Sequence, residues 1–595
     1  MTFDYEELLI SVRRPGRYIG REWNTVEKDS ASVDVSVALT YPDAYEIGMP
    51  NLGLAILYEI INKDPKAACE RVFAPWLDME EAIRESGGVL WSLETKRPLN
   101  EFDIVGFTLQ SELNFTNILT VLDLGNIPLK SVDRREGDPV VIAGGPCAFN
   151  PEPMSAFIDA FVIGDGEDAV TEIVEVVREH KRGIGEERKK GRRNDLLEKL
   201  AKLDGVYVPS LYDPASGPVR SRVVKDLELF APPCRPPVPY LEVVHDRYQV
   251  EVMRGCGRSC RFCQAGMIYR PVRERKAESV KQAVREGLAN TGYNEASLVS
   301  LSSSDYSHIL EVSRELVPEL TAKAITLSLP SQRVDAFSLE LAKIIGAGKK
   351  TSLTFAPEAG TQRMRDAINK GVTEEDLLKT TAIAFRNGWR KLKLYFMIGL
   401  PGETMEDVAG IADLVYKVRA AAMDETPREE HGRVNITVNI SSFVPKSHTP
   451  FQWAAQDSLD SLTEKSMLLR DKLRKSHLKY RWNEPAMALL EGAIARGDRR
   501  VGAAIEAAWR SGARFDSWHE QFDFERWRSA FASAGLTMED YNDRERATDE
   551  TLPWDCVADG VSKKFLISEY EKAKAAVTTV DCLAGCAGCG VKCPG

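Results

Sequence analysis

The sequence predicts an α/β protein: two successive units of alternating strands and helices, then a helical region and a short cysteine-rich end. Three observations carry this. Short apolar runs alternate with helical patterns over residues 31–205, and again from Val243 to Phe451; that alternation is the mark of parallel sheets crossed over by helices. Between the two series, Ala231-Pro-Pro-Cys-Arg-Pro-Pro-Val-Pro239 is too rich in proline for either element and reads as a stiff linker. Just after the first strand of the second series stands Cys256-Gly-Arg-Ser-Cys260-Arg-Phe262-Cys263, three thiols on one tight loop.

In the first series, strands are expected at Val33–Leu39, Ile104–Leu109, Val140–Ala143 and Phe161–Ile163, with helical patterns between them such as Leu54–Ile61. Residues 205–230 read as a small β extension. The second series has six strand candidates: Tyr248–Arg254, Ser297–Leu301, Ile325–Leu329, Ser352–Ala356, Lys391–Ile398 and Asn435–Phe443. Six βα units are too few to close an eight-stranded barrel, so a partial, open barrel is expected. The resulting organisation is an extension (1–30), a parallel α/β domain (31–205), a β extension and linker (206–240), a partial barrel (241–455), a helical domain (456–575) and a cysteine-rich tail (576–595).

Composition narrows the function. With 43% hydrophobic and 28% charged residues the chain reads as an ordinary globular protein of several domains. No apolar run reaches the eighteen or so residues that span a bilayer, and the acidic start Met1-Thr-Phe-Asp-Tyr lacks a signal core; a cytoplasmic location and no membrane partner are expected. A net charge of −11 gives no global pull toward nucleic acid, so any RNA contact would need a local patch. Two basic runs stand out. Arg188–Arg193 reads as a solvated loop. Arg470–Trp482 reads as a basic helix that is either a solvated face or a phosphate grip beside aromatic rings.

Three thiolates spaced C-x3-C-x2-C can hold three irons of a [4Fe-4S] cluster and leave the fourth open to a ligand. Half of a zinc site is the alternative; a disulfide framework does not suit 11 cysteines in 595 residues. The tail Cys582-Leu-Ala-Gly-Cys586-Ala-Gly-Cys589-Gly-Val-Lys-Cys593 repeats the spacing and adds a fourth thiol. It fits an auxiliary [4Fe-4S] cluster or a structural zinc, with Cys556 as a conceivable substitute ligand.

The cysteine loop, with Phe262 before its last thiol, resembles the signature of the radical SAM superfamily. Phe355-Ala-Pro-Glu358-Ala-Gly360-Thr, continuing to Asn369-Lys370-Gly371-Val-Thr373, and the block Phe396-Met-Ile-Gly399-Leu-Pro401-Gly402-Glu403 resemble the members that carry an N-terminal cobalamin domain. The resemblance implies a partial (β/α)6 barrel in which a reduced cluster on Cys256, Cys260 and Cys263 cleaves S-adenosylmethionine (SAM) to methionine and a 5′-deoxyadenosyl radical. Groups at the strand ends then become candidate SAM contacts: Phe262, Ser302, Ser304, Asp305, Ser331, Arg333, Glu358, Arg363, Arg365 and Gly399. For Ser304, Asp305 and Thr361, helix capping competes.

The first series likewise resembles a Rossmann-like cobalamin-binding domain, through Asp43-Ala-Tyr45-Glu-Ile-Gly48, Thr108-Leu-Gln110, Gly144-Gly145-Pro146 and Gly164-Asp-Gly166-Glu167. Cobalamin contacts are implied at Asp43, Tyr45, Gly48, Thr108, Gln110, Gly144, Gly145, Gly164 and Gly166. Tyr45 stands where such domains often carry a histidine ligand, so a histidine-ligated cobalt is not expected. The implied reaction is methyl transfer to an unactivated carbon. Methylthiolation of RNA or protein, with the tail as second cluster, and a non-catalytic iron–sulfur or RNA-binding scaffold are the alternatives. Expected partners are an unidentified substrate, an external electron donor of flavodoxin or ferredoxin type, and a radical-SAM-linked protein.

Overall fold

The computed structural model describes residues 5–183, 192–330, 333–334, 339–346, 352–474, 478–582 and 584–593. The first unit is built on strands β1 (Val35–Tyr41), β2 (Ala67–Phe73), β3 (Ile104–Thr108), β4 (Val140–Gly144), β5 (Ala160–Val162) and β6 (Val206–Tyr207). Their order is β2-β1-β3-β4-β5-β6, parallel except for the antiparallel edge pair β5–β6. The order reverses between β1 and β3, and at such a point the crossing helices diverge and leave a crevice at the carboxyl ends of the strands.

Each strand sends alternate residues to opposite faces. On one face Val35, Val37, Ile104, Val140 and Ile142 meet helices α1 (Leu52–Lys63) and α2 (Glu167–Gly183). On the other, Ala38, Val105, Phe107, Val141 and Ala143 meet α3 (Phe115–Leu124) and, unexpectedly, helices from the far end of the chain. These are α4 (Pro485–Ala495), α5 (Val501–Arg510) and α6 (Phe524–Ser533). Trp509 packs on α3 and its Nε1 donates to Thr120 Oγ1 at 3.0 Å. Thr116 donates to Asp516 at 2.7 Å, and Asn150 reaches the carbonyls of Ala495 and Gly497. Residues 485–541 therefore complete the first unit's second helical layer.

Among the described residues the second unit holds seven parallel strands where six were expected, beside a short antiparallel pair, Met253–Arg254 with Arg273–Glu274. Strands β7 (Tyr248–Glu251), β8 (Glu295–Val299) and β9 (Thr326–Ser328) form one parallel arc, in the order β9-β8-β7. Strands β10 (Leu353–Glu358), β11 (Lys391–Ile398), β12 (Asn435–Ser442) and β13 (Lys479–Trp482) form a second. Helices including α7 (Ala277–Thr291), α8 (Ile309–Ala322), α9 (Glu374–Arg386), α10 (Met405–Asp424) and α11 (Leu459–Leu473) cover their outer side in one core.

The added strand corrects the reading of Arg470–Trp482 as one basic helix. α11 stops at Leu473, and Lys479-Tyr480-Arg481-Trp482 alternates polar and aromatic with the period of a strand. Val438 pairs with Tyr480 and Ile440 with Trp482, and Tyr480 packs against the core while Lys479 and Arg481 stay exposed on the other face. Lys475, Ser476 and His477 lie outside the described residues, as does most of the basic run before Arg193. Among the described residues, no helix is long and apolar enough to cross a membrane.

If α5 belongs to the first unit's core, Trp509→Ala should cost about 3–5 kcal/mol. Hydrogen exchange should then accelerate in β1, β3 and β4, more than 350 residues away. Unchanged exchange in those strands would contradict the shared core.

Candidate active site and adjoining cavity

The cysteine loop follows β7 through a short antiparallel pairing of Met253–Arg254 with Arg273–Glu274. Gly255 turns the chain there with φ 85°, and a side chain would collide with the carbonyls of Tyr269 and Pro271. Cys260 is buried, and Cys256 and Cys263 are half-buried. Burial raises the Cys256 thiol, as does the charge of Cys260. Burial, with Cys260 adding to it, pushes Cys263 up to about 12, against the Gly266 amide that donates to its sulfur at 3.3 Å. Among the described residues no three His, Cys, Asp or Glu side chains converge to hold a single metal ion. A cluster instead spreads its ligands over separate irons, and the three thiols within electrostatic reach of one another fit that need.

Around the loop stand most of the strand-end groups expected from the sequence. Glu358 closes β10 in the left-handed region, with φ 68°, beside a register shift in the β10–β11 pairing. A glutamate held there is strained, and strain of this kind gathers at functional sites. Its carboxylate meets Lys370 at 3.0 Å. The Lys370 ammonium lies 5.9 Å from the Phe262 ring centre. Burial opposes its charge, but Glu358 and Cys260 outweigh that and hold it above the usual lysine range. Arg333 donates its amide to Ser304 Oγ and its guanidinium to Lys370 O, both at 3.0 Å. Asp305 accepts from Ser302 at 2.7 Å and from Arg258 at 2.7 and 3.1 Å. Burial pushes the Asp305 carboxyl up, and these partners more than reverse it.

Three expected contacts are engaged elsewhere. Arg363 reaches Asp407 and the Gly402 carbonyl, at the start of α10. Arg365 is buried and donates to the carbonyls of Ala359 and Gly360 and to Gln362, bracing the turn after Glu358. Gly399, with φ 81°, leaves no room on its Cβ side, where Leu462 would stand 2.7 Å away. Its glycine serves the turn and the close approach of α11. Ser331 lies outside the described residues. The cations that act on the cysteines are Lys370, on Cys263, and Arg333, on Cys256; Arg258, inside the loop, turns its guanidinium to Asp305 and Asp581. Lys370 was readable in the Asn369-Lys370-Gly371 run; Arg258 sits inside the cysteine motif and carries no separate signal.

The loop is wedged in place by its own Arg261. This side chain is fully buried and meets Glu569, also buried, at 3.0 Å. It further donates to the carbonyls of Asp366, Ala367 and Val577. Glu569 sits on helix α12 (Lys563–Lys574).

A cavity of about 460 Å³ adjoins the loop. Its floor is one phase of the first sheet: Val37 and Leu39, Ile104, Gly106 and Thr108, Ile142 and Gly144. Its walls are Asn51–Leu57 at the start of α1 and Gly164–Ile173 at the start of α2, and its far end is Glu251, Arg254, Gly255, Tyr269 and Val299–Leu301 of the second unit. Glycine at 106 and 144 removes the side chains that would fill the slot between sheet and helices. Gly145 and Gly164 have φ of 113° and 98° and admit the backbones of Leu109 and Arg222 closely. The cavity thus runs from the switch point of the first sheet to the residue before Cys256.

Of the residues implied as cobalamin contacts, Thr108, Gln110, Gly144, Gly145, Gly164 and Gly166 line this cavity; Asp43, Tyr45 and Gly48 do not. Asp43 accepts from Trp518 Nε1 at 2.9 Å, against the C-terminal layer. Tyr45 donates to Glu22 at 2.9 Å, which joins Arg71 and Glu94 in a fully buried network. Gly48 lies under Phe73 and Tyr41. These three hold the first turn in place. Gly106 was missed, although its place in the phase Ile104–Gly106–Thr108 marks it.

The two family-model matches fall on the two α/β units. Residues 53–209 match the family described as radical SAM proteins, N-terminal, and residues 250–415 match the radical SAM superfamily. An uncharacterized protein of Methanocaldococcus jannaschii is 27% identical over 474 residues, covering 79% of this chain and 90% of its own. A tRNA-2-methylthio-N(6)-dimethylallyladenosine synthase of Pelotomaculum thermopropionicum is 28% identical over 183 residues, covering 29% of this chain and 40% of its own. Among solved structures, the radical S-adenosylmethionine methyltransferase TsrM from Kitasatospora setae, with cobalamin and [4Fe-4S] cluster bound, has TM-score 0.45 at 16% identity, covering 68% of this chain and 74% of that one.

Glu569→Ala would strand Arg261 beneath the loop and should cost about 3–5 kcal/mol. Burial opposes the Glu569 charge, but Lys572, Thr579 and Arg261 hold its carboxyl below the usual range. A depressed carboxyl stabilises above its unfolded pKa of about 4.3 and loses that contribution as pH falls through the folded value. Denaturant unfolding should therefore show a wild-type to Glu569→Gln gap that is constant from pH 5 to 8 and shrinks only below about pH 4.

Proposed function

The chain belongs to the radical SAM superfamily, and from that premise we propose that it is a cobalamin-dependent methyltransferase acting on an unactivated carbon. The observation that carries this reading is the cavity, which joins the glycine-lined switch point of the first sheet to Gly255, next to the first cluster thiol. A flat macrocycle with a long side arm needs a slot between sheet and helices and an open face toward the reacting centre. Gly106, Gly144 and Gly166 clear the first, and the gap before Val299–Leu301 supplies the second.

Cys256, Cys260 and Cys263 would hold a [4Fe-4S] cluster, which when loaded supplies the electron that cleaves SAM to methionine and a 5′-deoxyadenosyl radical. Cobalamin in the cavity would supply the methyl group. The chain's own residues bind and orient. Lys370 and Arg333 form a cationic wall suited to the SAM carboxylate. Glu358 holds Lys370 in place and offers an acceptor to the amino group. Ser302, Ser304 and Asp305, fixed by Arg258, suit the ribose hydroxyls. Tyr269 and Leu301 line the far end of the cavity with apolar surface and keep water from the reacting groups.

A second reading, methylthiolation, is favoured by the match to the tRNA-modifying relative and by the second cysteine set at the tail. The two readings part at the product, which carries a methyl carbon in one case and a sulfur in the other.

Anaerobic protein given SAM and a low-potential reductant should release 5′-deoxyadenosine, and Cys260→Ala should release none. Hydroxocobalamin should remain with the protein through gel filtration, with its visible absorption bands. Gly144 and Gly166 have ordinary backbone angles and room for a side chain. Gly166→Phe and Gly144→Leu should therefore fill the slot and abolish retention without unfolding the chain. Tyr45→Phe, outside the cavity, should leave retention unchanged. Retention by the filled variants would rule out this cavity as the corrinoid site.

A further inference from the structure

The four tail cysteines are left unused by that function, and the structure puts them in a definite place. The tail lies across the cysteine loop. The Cys582 amide donates to Gly257 O at 2.9 Å, and a Cβ on Gly257 would stand 3.4 Å from Cys582 Cβ. Asp581 pairs with Arg258, the same arginine that holds Asp305. The Thr579 amide donates to Asn369 Oδ1 at 2.8 Å, and Asn369 in turn donates to Ser259 O inside the loop. Every one of these contacts is to the loop or to a residue that touches it.

The tail is also built as a thiolate turn. Gly588 donates its amide to Cys586 Sγ at 3.4 Å, as Gly266 does to Cys263 in the loop. Amide donation of this kind stabilises a thiolate. Gly588 and Gly590 sit at φ 72° and 96°, bending the chain back around Cys589. Cys589 is buried in an apolar cluster with Phe565, Leu566 and Met267, and its carbonyl accepts from the Ser562 amide at 2.8 Å. Cys582, Cys586 and Cys593 stay at the surface. Cys582, Cys586, Cys589 and Cys593 fall within twelve residues of one another on this turn. Among the described residues these thiols do not converge on one point to hold a single metal ion; the ligands of an iron–sulfur cluster sit on separate irons.

We propose that Cys582, Cys586, Cys589 and Cys593 form a second, fully thiolate-ligated [4Fe-4S] site, whose loading fastens the tail as a latch over the rim of the first cysteine loop. The latch would cover Gly257 and Arg258, the two loop residues that Cys582 and Asp581 touch.

The test uses the full-length chain reconstituted anaerobically with iron and sulfide. Wild type should hold about eight irons. Cys586→Ser/Cys593→Ser, chosen because both thiols are exposed, should hold about four, and its reduced electron paramagnetic resonance signal should still shift on adding SAM. A Cys256→Ser/Cys260→Ser/Cys263→Ser variant should keep about four irons in a signal insensitive to SAM. Trypsin should cut the tail at Lys592 or Lys574 several-fold faster in the tail variant than in wild type. A tail variant that keeps all its iron, or one that loses zinc instead, overturns the proposal. So does a colourless loop variant. Loss of the SAM-dependent shift in the tail variant would overturn the separateness of the two sites, while a failure of corrinoid binding would leave the latch untouched.

Discussion

Two units that share the lining of one open cavity need something stiff at the edges where they meet. Here it is a knot of buried charge. Asp165, on the turn between β5 and α2, accepts from Arg254 at 3.0 Å, from Arg273, and from the Val224 amide at 2.8 Å. Arg254 also meets Glu167 at 2.6 Å and Glu251 at 2.9 Å. A buried charge with one partner missing costs several kcal/mol, so each bond is enforced by the penalty of breaking it. Arg254 stands two residues before Cys256. Fixing its guanidinium to the first sheet therefore fixes the cysteine loop relative to the cavity, and the site could not be assembled from either unit alone.

A further seam ties the same edges. Lys446, after β12, is held between Glu112 and Glu491, each at 2.7 Å. Burial works against its charge, and the two carboxylates outweigh it. His448 meets the Phe149 carbonyl at 2.9 Å, and Gln249 donates to Pro50 O. The contacts cross between units at the carboxyl ends of both sheets, so the reacting groups of each face inward to one shared space.

Much of this was readable from the residues. The cysteine loop, Glu358, Lys370, Ser302 and Asp305 are ordered by short-range spacing at strand ends, and strand ends are visible as apolar runs that stop at glycine or serine. Of the slot-lining glycines, Gly144 and Gly166 were readable for the same reason, whereas Gly106, inside a strand, was not picked out. What was not readable depends on contacts between distant segments. Arg363 and Arg365 carry the right charge two and four residues beyond the turn that follows Glu358, but helix geometry sends one to Asp407 and the other into the turn's own carbonyls. Asp43 and Tyr45 match a motif, yet Trp518 and Glu22 claim their polar atoms. The basic stretch before Trp482 has helical charge spacing, and only its pairing with β12 makes it a strand. No local pattern announces that α4, α5 and α6 belong to the first sheet.

That last arrangement bears on how the chain is made. Thr116 and Asp516 are 400 residues apart, and Thr120 and Trp509 are 389 apart. At a synthesis rate of about 5–20 residues per second, one apolar face of the first sheet waits roughly 20–80 s for its cover. During that interval the face is open to chaperones or to neighbouring nascent chains. The tail emerges more than 300 residues after the cysteine loop, so the loop stays uncovered by it for roughly 15–70 s. Cofactor delivery thus has a natural window in the growing polypeptide before the tail has emerged.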